Sequence, residues 1–127
     1  MFQVSKKSQY GLRAVTYLAK AKKVASLKEV AKAEAIPFDF LEKILSKLEK
    51  AGLLNSKKGS QGGYCLARPL NKITAGSIVE ALEGKIIPVE CSFCGKAKKC
   101  VSKNVWDKVK QSLAKTLYSI TIKDLVK

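Results

Sequence analysis

The chain has 127 residues, 46% of them hydrophobic and 28% charged, which is enough to build the core of one compact domain and argues against wholesale disorder. Lysine and arginine total 25 against 10 aspartate and glutamate residues, and the net charge of +15 predicts a polyanionic partner, with nucleic acid first and a merely solubilising lysine surface as the alternative. The absence of histidine and of a phosphate-binding loop argues against an enzyme, and no apolar run is long enough to span a membrane.

Three helices are predicted in the N-terminal part of the chain. Apolar residues recur at helical spacing between residues 5 and 21, and Ser26 followed by Glu29 predicts a capping box at the start of a second helix. A turn at Ile36 and Pro37 leads into a third helix, which has one apolar and one polar, partly basic face and ends near Gly52. Two helices joined by such a tight turn are typical of a helix-turn-helix.

A β-hairpin is predicted directly after this motif. Residues 53–56 and 64–67 have the composition of short strands, and the glycine-rich stretch between them carries the lysine pair Lys57 and Lys58. A basic hairpin that follows a helix-turn-helix is typical of a wing, whose lysines contact phosphates or a minor groove.

The C-terminal part predicts two more helices, so the expected fold class is mainly α with a small β-hairpin. Thr74 is a suitable N-cap for a helix that stops at Gly84, and Ser102 is predicted to cap a long helix. We expect the apolar stripe of this long helix to pack against a second copy in a homodimer, with packing on the first helix as the alternative. The stripe is formed by Trp106, Val109, Leu113 and Leu117.

Three of the four cysteines cluster in one short segment, at Cys91, Cys94 and Cys100. Interleaved lysines favour the thiolate form, which binds metals and reacts with oxidants. Because the N-terminus lacks the apolar run of a secretory signal, we expect a cytoplasmic protein whose thiols stay reduced, and metal chemistry is favoured over structural disulfides. Cys65, in a predicted strand, is expected to be a small buried residue.

Taken in order, these motifs resemble the Rrf-type winged helix-turn-helix regulators, in particular the iron–sulfur regulators of the IscR and NsrR kind. The resemblance covers nearly the whole chain and rests on the order and spacing of the motifs. The markers are residues 10–14 (YGLRA), 26–31 (SLKEVA), 40–45 (FLEKIL), 48–53 (LEKAGL), 59–69 (GSQGGYCLARP), 78–84 (IVEALEG) and 120–126 (ITIKDLV).

The resemblance implies a cytoplasmic homodimer that binds double-stranded DNA at a palindromic operator and regulates transcription, as a repressor or an activator. Residues 1–84 would form the winged helix-turn-helix domain, residues 85–101 a cluster-binding loop, and residues 102–127 the dimerisation helix and tail. No membrane partner is expected.

Residue by residue, the resemblance also implies two sets of DNA contacts. Asp39, Glu42 and Lys43 are the base-contacting candidates, because a carboxylate accepts from the cytosine amino group and lysine donates to guanine. For Glu42, a solvated surface charge paired to a neighbouring lysine is an equally weighted alternative. The candidates for contacts with the DNA backbone are Ser5, Lys6, Lys7, Tyr10, Lys57, Lys58, Ser60 and Gln61.

The same resemblance implies that Cys91, Cys94 and Cys100 ligate an iron–sulfur cluster, with [2Fe-2S] expected first and [4Fe-4S] as the alternative. Some relatives add a histidine where this chain has Lys103, and others an acidic residue of the partner's first helix, where it has Ser8. The fourth ligand must therefore come from another group. The candidates are Glu90, Ser8, Gln9, Asn104, Cys65 or a small molecule.

Three alternatives to a cluster stay open. Zinc would make the thiols a structural site, although such a site normally has four protein ligands. The short spacing between Cys91 and Cys94 also allows a reversible disulfide, which would make the protein a thiol switch. Finally, the regulator would respond to a small molecule or a protein partner if the thiols have no role.

Overall fold

The computed structural model describes residues 4–84 and 102–126, and these confirm the predicted fold class of helices with one small hairpin. Along the described residues no helix is long and apolar enough to cross a membrane. The elements in chain order are α1 (Lys6–Ala21), α2 (Leu27–Glu34), α3 (Phe38–Lys50), β1 (Leu54–Lys57), β2 (Gly63–Leu66), a 3-10 helix (Leu70–Lys72), α4 (Ala75–Glu83), α5 (Lys103–Ser119) and α6 (Ile122–Leu125).

The start of α2 differs from the predicted capping box in one half. Ser26 Oγ accepts the amide of Glu29 at 3.1 Å, as expected. The Glu29 carboxylate, however, accepts the hydroxyl of Tyr17 at 2.6 Å, and this hydrogen bond raises the pKa of Tyr17. The reciprocal half of the box is lost because a donor from α1 takes the carboxylate, and the contact joins α1 to α2.

The helix-turn-helix forms where the sequence predicts it. Ala35 ends α2 in the left-handed conformation, with φ of 54°. The next residue, Ile36, is buried, and its amide donates a hydrogen bond to the Ala31 carbonyl at 3.0 Å. Pro37 then sets the start of α3. The apolar face of α3 lies in the core through Leu41, Ile44, Leu45 and Leu48.

The hairpin is anchored through its second strand to the loop between α1 and α2. Strands β1 and β2 are antiparallel, with Leu54 opposite Leu66 and Lys57 opposite Gly63. Ala25 exchanges two backbone hydrogen bonds with Tyr64, at 2.9 and 3.0 Å. Gly63 is required there, because its φ is 153° and a Cβ atom would lie 2.0 Å from the Ala25 carbonyl oxygen.

The C-terminal segment is part of the same core rather than a separate layer. Helix α5 packs on α4, where the Tyr118 ring lies against Gly76 and its hydroxyl donates to the Glu80 carboxylate. The chain then returns beneath α4: the Ile122 amide donates to the Ile73 carbonyl at 2.9 Å, and the Ile122 side chain is fully buried. Residues 102–126 therefore pack against residues of the predicted winged domain at Ile73 and along α4.

Two of the last three helices begin with a complete capping box, and the third, α5, does not. Thr74 and Ser77 form a complete capping box at α4, and Thr121 and Asp124 form another at α6. Ser102 has helical dihedral angles, and its side chain makes no capping hydrogen bond to α5. The prediction that Ser102 caps the long helix is therefore wrong, although the helix itself begins where expected.

We predict that Ile122→Ala lowers the free energy of unfolding by about 2–5 kcal/mol, because it opens a cavity in the core beneath α4. Urea denaturation followed by circular dichroism measures the change. The control is Leu125→Ala in the same short helix, where the side chain is 40% exposed and the expected loss is below about 1 kcal/mol. Equal, small losses for both variants would show that the tail is not part of the core.

Candidate nucleic-acid interface and cysteine segment

The outer face of α3 presents the three predicted base-contacting residues together. Asp39, Glu42 and Lys43 are all exposed, and their spacing of three and four residues places them on one side of the helix. Asp39 lies in the first turn of α3, where a negative charge is favourable for the helix dipole. This face opposes the buried one, so it is the part of α3 that is available to a groove.

Lysines from α1 and α3 meet at one side of this face. A cavity of about 110 Å³ lies between the two helices, and its walls are lined by Lys7, Phe40, Lys43, Ile44 and Lys47. A predicted backbone contact and a predicted base contact are thus neighbours. Sequence reasoning missed Lys47, although its position four residues after Lys43 places it on the same side of the helix.

Tyr10 joins α1 to α3 through its ring. The ring meets Phe40 edge to face, with centroids 5.5 Å apart, while Lys6 Nζ and Arg13 Cζ lie 6.0 and 5.5 Å from its centroid. Arg13, which sequence reasoning did not single out, also binds the carboxylate of Glu34 at 3.5 Å and donates to its carbonyl. The Tyr10 ring therefore lies between α3 and two cationic side chains of α1, Lys6 and Arg13.

The N-terminus of α1 is attached to the C-terminus of α4. The hydroxyl of Ser5 donates to the Glu83 carboxylate and accepts the amide of Ser8 at 3.3 Å. The ammonium group of Lys7 donates to the Leu82 carbonyl at 3.4 Å. Two predicted backbone-contacting residues thus have partners in α4, the helix that precedes the cysteine segment.

The predicted wing is an exposed basic tip on a fixed base. Its four candidate residues are exposed, and the tip turns through Gly59, whose φ is 109°. The hydroxyl of Ser56 donates to the Glu49 carboxylate and so links β1 to α3. Burial raises the pKa of Tyr64, and the carboxylates of Glu49 and Glu42 raise it further. The candidates at the tip are Lys57, Lys58, Ser60 and Gln61.

The predicted metal ligands fall into two groups, those in residues 85–101 and those among the described residues. Cys91, Cys94, Cys100 and Glu90 lie in residues 85–101, outside the described residues. Within residues 4–84 and 102–126, no group of three or more cysteine, aspartate or glutamate side chains is placed to hold a metal.

The described candidates for a fourth ligand differ in accessibility. Ser8 is only 1% exposed, and its hydroxyl has no hydrogen-bond partner among the described residues. Gln9 is exposed, with its amide nitrogen on the Val4 carbonyl at 2.8 Å, and Asn104 is exposed in the first turn of α5. Cys65 is a free, partly buried thiol in β2, where the sequence predicts a small buried residue.

Comparisons with known proteins agree with this architecture. A family model described as "Rrf2: Iron-dependent Transcriptional regulator" matches residues 4–127. The structure of T. potens IscR is 38% identical, with a TM-score of 0.81, over 98% of this chain and 86% of its own. That of CymR, the global cysteine regulator of B. subtilis, is 36% identical, with a TM-score of 0.82, over 99% and 97%.

A third structure, the oxidized form of Staphylococcus aureus CymR, is 30% identical, with a TM-score of 0.80, over 99% of this chain and 97% of its own. The match to the family model extends over nearly the whole chain, and the solved relatives have the same arrangement of helices and hairpin. The chain therefore belongs to the Rrf2 family of winged-helix, DNA-binding transcriptional regulators, and it is not an enzyme.

Proposed function

We propose that this regulator acts as a cytoplasmic homodimer on a palindromic operator and that the thiols of residues 85–101 control its affinity by holding an iron–sulfur cluster. The observation that carries the proposal is the triplet Cys91, Cys94 and Cys100 in a segment that follows α4 directly. Because α4 is attached to the N-terminus of α1, a change in this segment begins next to the predicted DNA contacts.

The described surface supports a division between residues that position the protein and residues that read sequence. Asp39, Glu42 and Lys43 would meet base edges in the major groove, since they share the exposed face of α3. The end of α1 and the tip of the wing would bind phosphates on either side of that groove. The backbone set is Ser5, Lys6, Lys7, Tyr10, Lys57, Lys58, Ser60 and Gln61.

The donor set fits an iron–sulfur cluster better than structural zinc. Three thiolates are favoured by the lysines between them, and the chain offers no histidine to complete a common zinc site. Asn104 and, from a partner subunit, Gln9 are exposed and would be available as a fourth ligand, whereas Ser8 is buried. Glu90 stays a candidate because it directly precedes Cys91 in the sequence. A cluster, [2Fe-2S] or [4Fe-4S], would supply sensitivity to oxidants or to iron supply.

The exposed apolar surface of α5 supports a homodimer. Val105 is 55% exposed and Leu113 is 41% exposed, although both lie in a helix that packs on α4. A shallow groove along α5 is lined by Val109, Leu113 and Leu117. A second copy with the same groove would cover these side chains through a twofold axis, which matches a palindromic site.

A thiol switch is the second candidate, because one relative of 30% identity has been solved in an oxidized form and another is described as a global cysteine regulator. In that case Cys91 and Cys94 would form a reversible disulfide without a metal. Both candidates place the control in the same segment, and metal content separates them.

We predict that replacing Lys57 and Lys58 by Ala weakens binding to specific and nonspecific DNA alike and makes the salt dependence of binding shallower. The loss of two phosphate contacts should reduce the slope of log K against log [salt] by about 1.8. Fluorescence anisotropy at several salt concentrations measures the slope. The control replaces Lys20 and Lys23 by Ala, which removes the same charge at and just beyond the C-terminal end of α1. An equal change of slope in both double variants would contradict a wing contact.

We predict that protein purified without oxygen is coloured and contains iron and acid-labile sulfide, and that Cys94→Ser loses both while keeping its helical circular dichroism. Cys65→Ser, in β2 and outside the triplet, should retain them, and a loss of iron in this variant would instead identify Cys65 as the fourth ligand. Stoichiometric zinc in place of iron would support a structural site. A metal-free protein that forms a disulfide between Cys91 and Cys94 on mild oxidation would favour the thiol switch.

We predict that Leu113→Asp shifts the protein from dimer to monomer in sedimentation equilibrium at micromolar concentration, because a carboxylate would be buried in the apolar interface. Gln111→Asp adds the same charge to an exposed position on another side of α5 and should leave the dimer intact. If both variants sediment as the wild type does, the interface lies elsewhere.

A further inference from the structure

The junction between the N-terminus of α1 and the C-terminus of α4 does more than join two helices. The Ser5 hydroxyl donates to the Glu83 carboxylate, and the Lys7 ammonium donates to the Leu82 carbonyl at 3.4 Å. We infer that Glu83 is a positioning residue for DNA binding: it fixes the end of α1 at which the predicted phosphate contacts lie and links that end to the residue from which the cysteine segment departs.

The contact between the two helix ends is favourable for the dipoles of both α1 and α4. A carboxylate at the last residue of a helix is unfavourable for that helix, so Glu83 gains nothing from α4 itself. It gains from the free amides at the start of α1, where no acidic residue is present in the first turn. In return, Lys7 brings a positive charge to the end of α4, which has no basic residue in its last turn.

Close packing behind the junction keeps these groups in register. Gly11 lies one turn further along α1, and a Cβ atom there would be 2.4 Å from Leu82 Cδ1 and 3.5 Å from Ile78 Cγ2. The two helices therefore approach as closely as side chains allow, and Leu82 itself is buried. A shift of the last turn of α4 would be passed to the first turn of α1 because little free space separates them.

The consequence for DNA binding is specific. The Ser5 hydroxyl gives its one proton to Glu83 and so serves to hold the helix end, while Lys6 and Lys7 would meet phosphates in the orientation that α4 gives this end. Glu83 is two residues from the start of residues 85–101. A change in the cysteine segment that displaces Glu83 would loosen this end of α1. This last step rests on the proposed thiol control, whereas the positioning by Glu83 does not.

The test compares three variants that each lose one negative charge: Glu83→Ala, Glu83→Gln and Asp107→Ala in α5. Charge alone predicts that all three bind DNA as tightly as the wild type or more tightly. We expect Glu83→Ala instead to bind about fivefold more weakly, as the loss of one hydrogen bond would give, with a shallower salt slope by about one. Glu83→Gln keeps an acceptor for Ser5 and should bind as the wild type does.

The measurement is anisotropy with a duplex that the wild-type protein selects from random sequences, and thermal unfolding of each variant accompanies it. Tight binding by Glu83→Ala, equal to that of Asp107→Ala, would overturn the inference. So would weak binding by Glu83→Gln, since the acceptor is then not what matters. A loss of affinity at an unchanged unfolding temperature supports positioning over general destabilisation.

A second arm separates this inference from the proposed thiol control. In a Cys65→Ser background, the remaining thiols are blocked with N-ethylmaleimide and the change in DNA affinity is measured. If blocking has no effect on the parent protein, the proposed thiol control fails, while the comparison of Glu83 variants still decides the positioning. If blocking acts, its effect should be at least threefold smaller in Glu83→Ala than in Glu83→Gln, and equal effects would exclude Glu83 as the link.

Discussion

The burial of α1 at the centre of the described fold is the constraint on which the other features depend. This helix contacts α2, α3, α4, α6 and the second strand of the hairpin, and its inner face is closed by Ala14, Val15 and Leu18. Because α1 contacts α2, α3, α4, α6 and β2, its N-terminus, the outer face of α3 and the hairpin are held in one arrangement. The DNA contacts proposed on these three stretches of sequence would then act as one surface, without any of them being ordered by the DNA itself.

The charge of the protein explains attraction to DNA but not choice among sequences. A net charge of +15 gives affinity for any duplex, and the lysines of α1 and the wing add to it. On the exposed face of α3, by contrast, Asp39 and Glu42 oppose binding wherever a base acceptor or a phosphate meets them. Two carboxylates on the exposed face of α3 in such a basic protein therefore fit the proposed base contacts: the lysines would supply the affinity, and the acidic residues would reject most sites.

Local sequence signals predicted most of the fold because the elements begin and end at residues with strong intrinsic preferences. The starts of α4 and α3 and the turn of the hairpin are set by Thr74, Pro37 and the hairpin glycines. These residues act through capping and backbone conformation, which depend on only a few neighbouring residues. The predictions failed where a distant residue competes. The capping box at Glu29 is incomplete because a tyrosine of α1 takes the carboxylate, and this partner cannot be found from spacing. Nor does spacing predict the contact of Lys7 with a carbonyl of α4, which leaves the predicted role of Lys7 at DNA as a prediction. For the site, spacing along α3 found the exposed face, but only the packing of α1 brought Lys7 beside Lys43.

The attachment of the C-terminal tail determines how a change at the proposed dimer interface would reach the DNA. If α5 were joined to the winged core by a flexible linker, two recognition helices could change their separation without any change in α5. Instead, Tyr118 binds α4 and Ile122 is buried in the core, so α5 and α3 belong to one body on each side of the proposed twofold axis. A rotation at the α5 interface would then move the two α3 helices by the same angle. Because half-sites must lie about one helical turn apart, even a small rotation would spoil simultaneous contact with both half-sites. The cysteine segment follows α4 and precedes α5 in the sequence, so under the proposed thiol control it would connect the junction at Glu83 to the proposed dimer interface.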